Sequence, residues 1–157
     1  MIVAHLPAGY LLARALPGPA FGAALAGSVA PDLDLLAFYL VDGRAVHHHR
    51  YWVHIPGFWA MAGGGALVAL RAAGRRRLAG LLAAFLAGVA LHLVLDGIVG
   101  GIAWLWPVHD ELLRLVEVPA RFDWWVWSFV LHWTFALELA VVAVAGAALL
   151  RDRRARC

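Results

Sequence analysis

His92-Leu-Val-Leu-Asp96 sets an imidazole and a carboxylate four residues apart. On a helix both project from one face about one turn apart, where they can grip a single metal ion or hydrogen-bond to each other. His49-Arg-Tyr-Trp-Val-His54 offers two more imidazoles, and Pro31-Asp32-Leu-Asp34 offers two carboxylates beside a helix break. There one Asp can cap the next helix while the other stays free. His5 and His132 complete the set. Each piece has a plainer explanation on its own: a buried His–Asp pair that fastens helices, a solvated histidine loop, a cap, an interfacial ring. Together, eight candidate ligands (His5, Asp32, Asp34, His49, His54, His92, Asp96 and His132) from separated segments point to metal binding. Imidazole and carboxylate without thiolate suit Zn first, or Mn or Fe, rather than Cu(I) or an iron–sulfur cluster. The single cysteine is Cys157, so neither a thiolate site nor an intrachain disulfide is available. Catalytic zinc takes three protein ligands and one open position, so this set has room for one or two ions.

The elements that carry these residues are built for lipid. Of 157 residues 64% are hydrophobic and 15% charged, against about 45–50% and 25% in soluble domains. The composition predicts an all-α integral membrane bundle forming one domain over residues 1–157. About five helical segments can be drawn. Two short ones run from about Leu6 to Leu16 and from about Phe21 to Ala30, followed by a brief apolar piece from Leu33 to Val41. A third runs from near Pro56 through Gly63-Gly-Gly65 to Arg71, a fourth from Leu78 to about Val99, and a fifth from Trp124 to Leu150. Spanning takes about 20 apolar residues. The last two reach that length, whereas the first two suit a re-entrant or tilted pair covered by the others. Met1 to Pro7 carries no basic residue ahead of its apolar run, so the N-terminus is expected to be structure rather than a signal peptide.

Arginine alone sets an orientation, because basic residues in short loops mark the cytoplasmic side. All 13 basic residues are Arg, and nine (14, 71, 75, 76, 77, 151, 153, 154, 156) fall on one side with a single acid, Asp152. The other side holds four (44, 50, 114, 121) against seven acids (32, 34, 42, 110, 111, 117, 123). That sorting explains the basic balance by a membrane rather than by nucleic acid. It puts the C-terminus inside and, independently, every candidate ligand at the outer ends of the helices. Trp104, Trp106, Trp124, Trp125, Trp127 and Trp133 crowd the same level, as an aromatic belt does.

His5, Pro31-Asp-Leu-Asp34, His49-Arg-Tyr-Trp-Val-His54 and His92-Leu-Val-Leu-Asp96, with Trp106-Pro107 behind them, stand in the order that marks the YdjM-like family of bacterial inner-membrane metal-dependent hydrolases. The chain resembles that family over most of its length. Tyr51, Trp52, Val53 and Ile55 differ from the family's usual residues around the paired histidines, and Leu35 stands where a His is common. The resemblance implies a hydrolase of the bacterial inner membrane, with His5, Asp32, Asp34, His49, His54, His92 and Asp96 as metal or catalytic residues. His132 resembles a feature of one branch. In that chemistry a bound ion lowers the pKa of water, Asp34 or Asp32 takes its proton, and Arg50 steadies a phosphate or carboxylate. A site at headgroup depth, on the outer side, suits an ester or phosphoester that is lipid-linked or small and soluble. Two alternatives remain at this point: an ion or proton transporter, and a non-catalytic membrane protein with a structural metal.

Overall fold

The computed structural model describes residues 1–43, 45 and 47–155. Arg44 and Arg156, used above for orientation, and Cys157 lie outside the described residues. The fold is all-helical. Its elements are α1 (His5–Ala13), α2 (Pro19–Gly27), α3 (Asp34–Leu40), α4 (Pro56–Phe58), α5 (Gly64–Ala72), α6 (Arg76–Val99), α7 (Trp125–Val130) and α8 (Trp133–Arg154). A wide helical turn at Trp59–Gly63 joins α4 to α5, so the third expected segment forms one continuous rod. Helices α6 and α8 are long and apolar enough to cross a membrane, and α2 with the segment Pro31–Leu40 makes a third candidate bent by 55°.

Pro17-Gly-Pro19 ends α1 and starts α2, with Pro19 at the first helical position where its missing N–H costs nothing. The two short helices pack on α6, which supplies the cover that half-length membrane helices need. The contact of α2 with α6 is unusually close. A Cβ at Gly88 would lie 2.1 Å from the Ala24 carbonyl oxygen, and one at Gly27 would lie 2.0 Å from that of Phe85. Backbone meets backbone there, so only Gly fits on either helix. Beside this crossing Ala13, Ala24 and Ala84 form one small core, while Val89, Leu93 and Ile102 form another against Trp59 and Phe85.

The last turn of α6 leaves carbonyls without helical partners. The loop after it returns to satisfy them: Leu115 N–H donates to Gly97 O (3.0 Å) and Val116 N–H to Ile98 O (2.8 Å). Ile102 and Leu113 pair across the same loop.

Two expectations need correction. The fifth segment is broken: α7 stops at Val130, and His132 adopts extended backbone (φ −88°, ψ 146°) before α8 begins. Neither aspartate caps a helix either, since α3 has Leu33 at its N-cap and no side-chain cap bond. The Asp34 carboxyl is taken by a histidine instead.

Candidate metal centre

Arg14 closes α1, and its Nε donates to Asp152 Oδ2 near the end of α8 at 3.0 Å. The His and Asp residues gather at the opposite end of α1, α6 and α8. His92 and Asp96 lie one turn apart in α6, as their spacing predicts, and both are buried. His49 and His54 come from the loop before α4, Asp32 and Asp34 from the bend before α3, and His5 from the start of α1.

Each of three imidazoles is tethered through Nδ1. His92 Nδ1 lies 2.9 Å from the Ser28 carbonyl oxygen, and His54 Nδ1 lies 2.8 Å from Asp34 Oδ2. His49 Nδ1 sits between the carbonyls of Gly100 (3.0 Å) and Gly101 (2.8 Å). Carbonyls and carboxylates only accept, so these partners assign the proton to Nδ1 and leave a lone pair on every Nε2. Gly100 is required for this: a Cβ there would stand 2.2 Å from His49 Cε1. Burial pushes the His49 imidazole down to about 3, so the ring is neutral at physiological pH, the form in which it binds metal.

All three face one carboxylate oxygen. His54 Nε2 and His92 Nε2 are 3.3 Å apart. Asp96 Oδ2 is 3.1, 3.5 and 3.7 Å from Nε2 of His92, His49 and His54. It is buried and, among the described residues, has no hydrogen-bond partner. Unpaired acceptors facing one another cost on the order of 1–3 kcal/mol each in a dry site. A cation held among them would relieve each repulsion. Ligands about 2.0–2.1 Å from a tetrahedral ion stand about 3.3–3.4 Å from one another, which matches the shorter of these contacts. The donor set therefore fits a divalent metal.

Asp32, His54, His92 and Asp96 each offer one ligand atom within 4.8 Å of the others, and His48, His49 and His54 form a second such group. Asp32 is the most open member, 31% exposed at its side chain, with Oδ1 3.7 Å from His92 Nε2. His5 lies behind the group: its ring stacks on His92 with centroids 3.9 Å apart. Its Nε2 is 3.1 Å from Asp96 Oδ1 and its Nδ1 3.4 Å from Asp32 Oδ2. The Met1 amino group also reaches Asp96 Oδ1.

Two sequence candidates stand apart from the group. His132 caps α8, with Nδ1 2.9 Å from Thr134 Oγ1. Arg50 is half-exposed, 3.9 Å from Asp110. Arg114 instead lines a cavity of about 400 Å³ that opens beside the cluster and is shared by Asp32, His49, Asp96, Phe122, Trp125 and Phe129. Sequence reasoning missed Arg114, His48 and the Ser28, Gly100 and Gly101 carbonyls. The run His47-His48-His49 was the sole signal for His48, and nothing in a sequence marks a carbonyl as an acceptor.

No curated protein and no solved structure matches the chain. A family model does, over residues 2–154, and it spans every element of the cluster. The chain belongs to the YdjM inner membrane protein family.

Proposed function

We propose that this chain is a membrane-bound metal-dependent hydrolase that cleaves an ester or phosphoester at the outer membrane interface. The observation that carries the proposal is the convergence of three tethered imidazoles on the buried, unpartnered oxygen of Asp96. His54, His92 and Asp96, with His49 on the far side of the Asp96 carboxylate, would hold one ion, with zinc the best match to this donor set and Mn or Fe the alternatives. Once bound, the ion would supply a Lewis acid able to make water a competent nucleophile near neutral pH.

Asp32 has the position of a general base: it is partly exposed, at ligand distance from the cluster, and on the cavity wall. Asp34 aims His54 through Nδ1. Arg114 offers the guanidinium that can steady an anionic group, and Phe122, Trp125 and Phe129 in the same cavity suit an apolar moiety. A lipid-linked substrate presented from the bilayer meets both requirements. The opposite end of the α1, α2 and α6 contact is packed by Ala13, Ala24 and Ala84, and this apolar plug favours a hydrolase over a polar transport path.

The test is Asp32→Asn in detergent-purified protein. Metal content and melting temperature should stay at wild-type values while ester or phosphodiester turnover falls about 10²–10⁴-fold, the usual worth of a general base. Loss of metal in proportion to activity would make Asp32 a ligand and place the base elsewhere. A metal-free wild-type protein, purified without chelator, would overturn the proposal.

A further inference from the structure

A further carboxylate is buried in this end of the bundle and takes no part in the cluster. Glu138 lies in the apolar helix α8 and is fully buried. A polar group at such a site must be hydrogen-bonded, or the loss of its hydration goes uncompensated. Its partners are backbone amides. Glu138 Oε2 accepts from Ile2 N–H at 2.8 Å, Val3 N–H at 2.6 Å and Ala4 N–H at 3.1 Å, and Oε1 accepts from Ile2 N–H at 3.1 Å. Three successive N–H groups turned toward one carboxylate form a concave anion seat, here filled from a neighbouring helix. The segment it fixes leads straight into the cluster. Ala4 is fully buried, and its carbonyl opens the first turn of α1 by accepting from Ala8 N–H at 2.8 Å. His5 comes next, between the carboxylates of Asp96 and Asp32.

We propose that Glu138 is a positioning residue of the metal centre. By clamping residues 2–4 against α8 it holds the His5 ring on His92, and His5 in turn keeps Asp96 and Asp32 facing the ion. Helix α8 thus serves the site without giving it a ligand. The proposal rests on the metal-centre reading above, so its test has one arm with metal and one without.

In metal-free protein, carbethoxylation of His5 by diethyl pyrocarbonate is followed by mass spectrometry. The wild type should protect this buried ring, and Glu138→Ala should modify it about tenfold faster or more as the segment is released. In the second arm, Zn affinity is measured by chelator competition. Glu138→Ala should bind about 10–100-fold more weakly, the usual effect of losing a residue that orients ligands. The double variant with His5→Ala should be no weaker than His5→Ala alone, because both act through one ring. Glu138→Gln should restore affinity, since an amide oxygen in the place of Oε2 keeps three of the four bonds. If Glu138→Ala does not fold, Glu138→Asp, with its carboxyl withdrawn by one methylene, takes its place with the same expectations.

His5 equally protected in the variant would overturn the proposal, as would a loss of melting temperature with unchanged Zn affinity. A wild type that binds no Zn would overturn the metal reading instead, leaving the carbethoxylation arm to decide whether Glu138 places His5.

Discussion

Gly88→Ala puts the link between helix packing and the proposed metal site under direct strain. The added methyl would stand 2.1 Å from the Ala24 carbonyl oxygen and 2.7 Å from Ser28 N. Both are backbone atoms, so no side chain can swing aside and the end of α2 must move as a piece. Restoring the ordinary 3.4 Å contact with Ala24 requires a displacement of about 1.3 Å. The Ser28 carbonyl rides on that end and accepts from His92 Nδ1 at 2.9 Å. A shift of this size takes the pair past the roughly 3.5 Å limit of a hydrogen bond and frees the ring. Overpacking should cost about 1–3 kcal/mol of stability. Loss of the tether should weaken Zn binding about 10–100-fold. Gly80→Ala is the internal control: it lies on the same helix with nothing within 4 Å of its would-be Cβ. There Ala should stabilise by up to about 1 kcal/mol through helix propensity. Melting in detergent and chelator competition read both quantities. Gly88→Ala indistinguishable from Gly80→Ala in the two assays would refute the reasoning.

Acid should act through His49 in a definite direction. Its folded pKa of about 3 lies below the ordinary 6.5, so the unfolded chain takes up a proton that the folded chain refuses. The contribution is therefore intact above about pH 6.5 and is lost as pH falls toward about 3. Metal-free wild type should lose melting temperature more steeply than His49→Gln between about pH 8 and pH 5, and equal slopes would count against the assignment. Orientation is open to labelling: with Cys157→Ser as background, a cysteine at His48 should react with an impermeant maleimide from outside, and one at Arg75 should not. The reverse pattern would put the site on the cytoplasmic face.

Legibility in the sequence depended on whether a residue acts through its side chain and within its own element. His92 and Asp96 could be paired because their spacing coincides with the helical period, and α6 formed where its uninterrupted apolar run predicted it. The long fifth segment misled because its break falls at Leu131-His132, with neither Pro nor Gly to announce it. His132 makes that break itself by capping α8, so a side chain of ligand type has another partner. The pairing of Asp34 with His54 is a tertiary contact between loops and has no period. The role of Glu138 is hidden for a similar reason. The amides it binds lie at the other end of the chain, and sequence distance hides that partnership.

Two of the three convergent imidazoles, His92 and His49, are aimed by main-chain oxygens: Ser28 for one, Gly100 and Gly101 for the other. Swapping side chains leaves a carbonyl where it was. An alanine scan of this end of the bundle would therefore return the rings and the carboxylates and pass silently over the groups that point two of those rings. It would register Asp34, since His54 is held by a removable group. Functional maps built from such scans would make this centre look simpler than it is. The tethers would come to light through changes that move the backbone, such as an inserted methyl at a glycine contact.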